Sequence, residues 1–125
     1  MRPDSNPTPG MGINAWIAID HGLCTDRRLA PYTLALKGDR SLYQAIAEDD
    51  WVLVLDVDGA VARAGRVLRV RSDLKTTRIF FDRVCAAGAS VPAASLSLTP
   101  PSSGSVGRIS WETFVSALSK AFGHT

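Results

Sequence analysis

The chain has 125 residues, of which 46% are hydrophobic and 21% are charged. These proportions are those of one ordinary globular domain, and they exclude a wholly disordered chain. No apolar run approaches the roughly 18 residues that a membrane-spanning helix needs. The two cysteines, Cys24 and Cys85, exclude a disulfide-rich secreted scaffold and predict a reducing, cytoplasmic setting.

Charge is distributed unevenly along the chain. Residues 1–50 carry five Lys or Arg and seven Asp or Glu, whereas residues 51–125 carry nine and five. Within residues 60–84 there are seven basic residues and two acidic ones. A basic segment of this kind favours an anionic partner, of which nucleic acid is the commonest, although a solvated strand face would look the same.

The first half of the chain predicts a leader, two strands and a helix. Residues 1–12 are rich in Pro, Gly and Asn, which is typical of a flexible leader, so we expect a single domain over residues 13–125. The apolar run in residues 14–20 predicts a strand buried on both faces, and residues 32–37 predict a second, short strand. Residues 41–48 predict a helix, because Leu42, Ala45 and Ile46 share one helical face.

The centre of the chain predicts a three-stranded antiparallel meander. Residues 51–57 form the most apolar strand pattern, and Asp58-Gly59 is a favoured hairpin turn. The returning strand covers residues 60–71, with Arg63, Arg69 and Arg71 on one face and with a bulge near Gly65. Residues 77–84 then predict the third strand, in which Phe80 and Phe81 face opposite sides.

The last part of the chain predicts a connection followed by a helix. Residues 86–107 contain three prolines and many Ser and Ala, which indicates a long surface loop. Residues 110–122 predict a helix capped by Ser110. The whole order of elements predicts a small α+β domain in which a curled, mostly antiparallel β-barrel is flanked by helices.

One short motif points to catalysis. The apolar strand followed by Asp56-Val57-Asp58-Gly59 resembles the first motif of haloacid-dehalogenase-type phosphatases, which have a nucleophilic Asp and bind Mg²⁺. That family needs a crossover helix after the strand, whereas residues 60–71 predict a returning strand. We therefore interpret the two aspartates as hairpin residues and keep the small Asp-nucleophile phosphatase as a remote alternative.

Metal and nucleophile patterns are weak. His21 and Cys24 have a spacing that can bind a metal, but a four-ligand site would also need Cys85 and His124, which form no second close pair. The same two residues lack a third catalytic group. We therefore predict a binding module without catalytic residues, metal or cofactor.

The middle of the chain resembles PUA-like domains of the EVE and YTH-like branch, found in prokaryotic modification-dependent restriction proteins. In that group a helix leads into a Gly-Asp-x-Val-Leu strand, here Glu48-Asp49-Asp50-Trp51-Val52-Leu53. A hairpin and a Gly-x-Val strand follow, here Gly65-Arg66-Val67. Where this chain has Glu48-Asp49-Asp50, glycine is usual in the family. The resemblance covers roughly residues 14–84.

The resemblance implies a reader of modified bases. Such domains hold a base flipped out of its strand in an aromatic-walled pocket. Carried onto this chain, it implies that Trp16, Tyr32 or Trp51 forms the pocket wall and that Asp20 and His21 bind the base edge. It also implies that basic residues hold phosphates, here Arg63, Arg69, Arg71 and Arg78.

These patterns lead to a main hypothesis and several alternatives. The main hypothesis is a cytoplasmic module that recognises a modified base, in DNA rather than RNA, as the targeting part of a restriction or phage-defence protein. Any cleavage would then come from an effector domain or subunit, and no membrane partner is expected. The alternatives are an RNA-binding PUA-like module in RNA processing or translation, and a protein-interaction domain with a solvated basic face.

Overall fold

The computed structural model of the protein describes residues 14–38, 43, 45–73, 75–96, 98, 101 and 106–122, without the side chains of residues 87–90. The predicted leader, residues 1–12, lies outside the described residues. The described part is mostly β, with a curled half-barrel sheet and a C-terminal helix, as in a small α+β barrel-like fold. Its strands and helix are β1 (Ala15–Ile19), β2 (Thr33–Lys37), β3 (Trp51–Leu55), β4 (Ala60–Ser72), β5 (Thr76–Pro92), β6 (Val106–Ile109) and α1 (Trp111–Ala121).

The strands form one sheet in the order β2-β5-β4-β3-β1-β6. Every neighbouring pair is antiparallel except β1 with β3, which is parallel. Of the predicted curled, mostly antiparallel β-barrel with flanking helices, the structure confirms a small α+β fold with a curled half-barrel sheet and a C-terminal helix. Neither strand of the parallel pair lies at an edge of the sheet. β1 and β3 are apolar on both faces, and strands of that kind need cover on both sides.

Two hydrophobic clusters cover the two faces of the sheet. Phe114 and Ala117 of α1 pack on Ile17, Leu53 and their neighbours, and we call this the helix-side cluster. On the other face, the side chains that alternate with these pack together in the opposite cluster. Its buried members are Trp16, Ala18, Leu34, Leu36, Tyr43, Ile46, Val52, Val54, Val67, Ile79 and Phe81.

The β3–β4 connection is a hairpin, as predicted. Asp56 N donates to Ala60 O at 2.9 Å, and β4 returns antiparallel to β3. The loop spans residues 56–59, and Gly59 takes a φ of +85° that favours glycine. The crossover that the phosphatase motif requires does not follow β3.

The register of β4 against β5 changes between Arg66 and Val67 and again between Val67 and Arg69. The irregularity therefore begins just after Gly65, the residue near which a bulge was predicted. A Cβ on Gly65 would lie 2.5 Å from Cγ of Phe81. Glycine is required at this position because the Phe81 ring fills the space.

The register changes overturn the prediction that Arg63, Arg69 and Arg71 share a face. Arg63 pairs with Val54, which belongs to the opposite cluster. Arg69 and Arg71 alternate with Val70, which packs against that same cluster, so their side chains point to the helix side. An irregularity between Arg63 and Arg69 moves later side chains to the other face.

Two predicted elements differ from the structure. The prediction of a helix over residues 41–48 was wrong for the described part of that segment. There, Tyr43 and residues 45–48 form bends, turns and irregular backbone. Tyr43 and Ile46 are buried in the opposite cluster without forming a helix. The loop over residues 86–107 was wrong as well, because β5 continues to Pro92 and residues 106–109 form β6 on the free edge of β1.

The C-terminal helix is confirmed. Thr113 N donates to Ser110 Oγ at 3.1 Å, which makes Ser110 the cap of α1. Phe114 is buried, and its ring centroid lies 5.9 Å from that of Trp51 and 5.3 Å from that of Trp111. Edge and offset contacts between these rings fasten α1 to the sheet beside β3.

Candidate nucleic-acid interface

Arginines follow one another along the helix side of the β4–β5 ladder. Val67 and Phe81 are paired and buried in the opposite cluster, so the pairs on either side of them point to the helix side. Those pairs are Arg66 with Arg83 and Arg69 with Phe80, and the next is Arg71 with Arg78. We call this surface the arginine face: Arg66, Arg69, Arg71, Arg78, Phe80 and Arg83.

The arginines of this face differ in their partners. Arg66 forms a two-pronged ion pair with Asp82, with Nε–Oδ1 at 2.9 Å and Nη2–Oδ2 at 2.6 Å. This contact lowers the pKa of Asp82 and raises that of Arg66. Arg78 lies 3.8 Å from Asp73 in a looser, exposed pair. Within the described part of the chain, Arg69, Arg71 and Arg83 have no carboxylate within ion-pair distance, so their charge remains available.

Two aromatic rings lie among these arginines. The guanidinium of Arg69 lies 5.3 Å from the ring centroid of Phe80, which is partly exposed. Trp51 is directly opposite Arg66 in the β3–β4 register and is partly exposed too. Since residues opposite each other project to the same side of a sheet, the Trp51 ring borders the arginine face.

The predicted base pocket does not assemble as one group. Trp51 pairs with Ala15 on the helix side, whereas Trp16 pairs with Val52 on the other face. The two tryptophans therefore cannot form walls of one pocket. Trp16 is 8% exposed and donates from Nε1 to Asp50 Oδ2 at 2.9 Å, so its ring is part of the core.

Asp50 has the buried carboxylate that is typical of a functional residue, and the sequence analysis did not single it out. Its side chain is fully buried and accepts hydrogen bonds from Asn14 N at 3.0 Å, Ala47 N at 3.0 Å and the Trp16 indole. Three N–H donors offset the cost of burying a carboxylate. This arrangement closes the loop before β3 against β1, which is a structural role. An acidic residue directly before an apolar strand was the available signal.

Asp20 and Arg63 meet at the end of β1. Arg63 Nη1 lies 3.1 Å from Asp20 Oδ2, and Nη2 donates to Thr33 O at 3.0 Å. Arg63 therefore closes a contact between strands and is not one of the exposed phosphate-binding candidates. His21 follows Asp20 in the chain and Tyr32 precedes Thr33, and both side chains are exposed. Tyr32 is 52% exposed. Two buried polar atoms here, Thr33 Oγ1 and Arg63 Nε, have no hydrogen-bond partner among the residues that the structure describes.

A hollow of about 400 Å³ lies on the other side of β4 from the arginine face. Ile46, Ala47, Glu48 and Val70 line it. None of the five residues of the predicted base pocket is among these four, and the ionisable residue among the four is Glu48.

The other chemical motifs are engaged in local structure. Asp56 Oδ1 accepts from Asp58 N at 2.9 Å and from Ala60 N at 3.0 Å, which shapes the hairpin. Cys24 is partly buried and Cys85 is exposed, and both are free thiols. In the described residues no three His, Cys, Asp or Glu side chains come together as metal ligands would.

Comparisons with known proteins give information about the fold alone. No family model matches the chain, and no curated protein matches it. A solved structure is similar: the NMR structure of Rpa0253 from Rhodopseudomonas palustris, with a TM-score of 0.58 and 14% sequence identity over 88% of this chain and 93% of that one. At that identity the similarity shows a shared fold only. Across the described residues, no helix has the length and apolar character needed to cross a membrane.

Proposed function

We propose that this protein is a nucleic-acid-binding module whose arginine face holds phosphates, and that it recognises a modified base as the targeting part of a restriction or defence system. The observation that carries the proposal is the placement of five arginines in three successive cross-strand pairs. Three of them have no ion-pair partner among the described residues. Guanidinium groups bind phosphate through two parallel N–H donors, so a row of them fits a nucleic-acid backbone.

Recognition of a modified base rests on the resemblance to PUA-like domains of the EVE and YTH-like branch. Asp49 occupies the position where that family has glycine, and its φ of +73° is a conformation that glycine adopts most easily. The next residue, Asp50, is the anchored carboxylate before β3. The backbone at residues 49–50 thus has the shape that a Gly-Asp sequence would favour, which supports the resemblance. A base edge would be read beside Asp20, His21 and Tyr32, at the end of β1.

The test is a salt titration of binding. The triple variant Arg69→Gln, Arg71→Gln, Arg78→Gln removes three charges from the face, and Arg27→Gln, Arg28→Gln, Lys120→Gln removes three exposed charges elsewhere. Each phosphate contact contributes about 0.9 to the slope of log affinity against log salt for duplex DNA. We expect the first variant to lower that slope by about 2 to 3, and the control to leave it unchanged.

The nature of the nucleic acid is tested in the same assay. Duplexes with a methylated cytosine or a methylated adenine are compared with unmodified duplex and with structured RNA. Tighter binding of one modified duplex supports the proposal, and tighter binding of structured RNA favours the RNA-processing alternative. Absence of binding to all of them at low salt would leave a protein-interaction domain and overturn the proposal.

A further inference from the structure

The arginine face combines charge with flat rings in a regular order. Trp51, Arg66 and Arg83 lie in one row across β3, β4 and β5. Phe80 and Arg69 lie in the next row, and Arg71 with Arg78 in the one after it. An aromatic side chain is therefore next to an arginine in two successive rows on an exposed part of the sheet.

We infer that Phe80 and Trp51, which lie on β5 and β3 with β4 between them, stack unpaired bases, so that the ligand of this face is a single strand in preference to a duplex. The inference rests on the proposed function and specifies its substrate. A duplex presents mainly phosphates to a sheet surface, because its bases are paired inside, and it would leave both rings uncovered. A single strand offers the same phosphates together with the flat faces of its bases.

The two rings have the surroundings that stacking requires. Phe80 is held in position by its strand pairing with Arg69 on one side and Thr33 on the other. Trp51 is supported from behind by Phe114. The Arg69 guanidinium already lies over the Phe80 ring at 5.3 Å from its centroid, which is a geometry that a base could share or replace.

The size of the preference follows from known stacking strength. A base stacked on an aromatic side chain contributes on the order of fivefold to 100-fold in affinity. A duplex must first unstack and evert a base before it can use the same ring. We therefore expect a single strand to bind at least about tenfold more tightly than an unmodified duplex.

The experiment uses the full chain and two labelled probes, an oligothymidylate of about 15 nucleotides and an unmodified duplex of the same length. Fluorescence anisotropy gives both affinities for the wild type, Phe80→Leu and Phe122→Leu. Phe80→Leu keeps an apolar side chain but removes the ring, and Phe122→Leu removes a partly exposed ring at the end of α1, outside the face. Phe80→Leu should reduce the preference for the single strand to within about threefold without changing the salt slope, and Phe122→Leu should leave the preference intact.

A second readout does not depend on the Phe80 variant. Stacking on Trp51 should quench tryptophan fluorescence when oligothymidylate is added, and Trp51→Phe should abolish the quenching. Equal affinity for both probes, or a preference that survives the loss of Phe80 with no quenching from Trp51, would overturn this inference and leave the proposed function standing. Absence of binding to either probe at low salt would instead remove the proposed function itself.

Discussion

The loop before β3 and the β4–β5 ladder place their charged side chains in opposite surroundings. In the loop before β3, Asp50 is fully buried and accepts hydrogen bonds from three N–H groups, so its carboxylate is already bound within the fold. On the ladder, Arg69, Arg71 and Arg83 point away from the core without a described ion-pair partner. A polar group that is buried and satisfied serves the fold, whereas one that is exposed and unpaired is free to meet a partner.

The strongest test of this contrast is Asp50→Ala. The substitution leaves one buried and two partly buried N–H donors without an acceptor, and a fully buried unsatisfied donor costs about 1 to 3 kcal/mol. We expect a loss of about 3 kcal/mol or more in the free energy of unfolding, measured by urea denaturation. Asp49→Asn, next to it and exposed, should change stability by less than about 0.5 kcal/mol. Equal effects at the two positions would show that Asp50 is not the anchor.

The second test concerns how the ladder is attached to the core. Gly65→Ala would place a Cβ 2.5 Å from the Phe81 ring, and overpacking of this kind costs about 1 to 3 kcal/mol. We expect urea denaturation to show that the free energy of unfolding falls by an amount near the middle of that range. Adding Phe81→Leu should recover part of it, because the two changes meet at one contact. Strictly additive effects would mean that the ring is not what limits residue 65.

The third test compares two buried threonines. Thr33 Oγ1 has no hydrogen-bond partner in the described part of the chain, so Thr33→Val should raise the free energy of unfolding by about 1 kcal/mol. Thr77 Oγ1 donates to Gly38 O at 2.9 Å, so Thr77→Val should lower it by a similar amount, about 1 kcal/mol. Thermal and urea unfolding measure whether the two substitutions change the free energy of unfolding in opposite directions. A loss of stability in both variants would indicate that Thr33 does have a partner.

The smallest effect is expected from an exposed pair on the ladder. The Arg66 guanidinium holds the pKa of Asp82 below its ordinary value. A carboxyl group with a depressed folded pKa stabilises the fold above its unfolded pKa of about 3.9, and the contribution is lost as the pH falls through the folded pKa. The free energy of unfolding of the wild type should therefore be slightly higher than that of Asp82→Asn at pH 6, and the two values should be equal in strong acid.

The matching control for that pair is Asp58→Asn, which alters an exposed turn carboxylate that forms no ion pair with the described residues. Its stability relative to wild type should vary less with pH than that of Asp82→Asn. If both variants show the same pH profile, the Arg66–Asp82 contact seen in the structure does not persist in solution.

The apolar strands β1 and β3 were the predictable part of this fold, for a local reason. Runs such as residues 15–19 and 51–55 are apolar and β-prone throughout, so burial and strand geometry agree over each short segment. The Ser110 cap of α1 was predictable for the same reason, since capping depends on residues three positions apart. The basic character of the ladder could likewise be read from residues 60–84.

The faces of the ladder and the candidate site required the tertiary structure. Two register changes around Val67 put Arg63 inside and Arg69 and Arg71 outside, and no local pattern reveals how many residues a partner strand will skip. The parallel pairing of β1 with β3 placed Trp16 and Trp51 on opposite faces. By itself the sequence determined the apolar strands β1 and β3, the hairpin after β3 and where positive charge accumulates, because those follow from neighbouring residues. Only tertiary structure decided which side chains share a surface, because that depends on pairing between strands far apart in the chain.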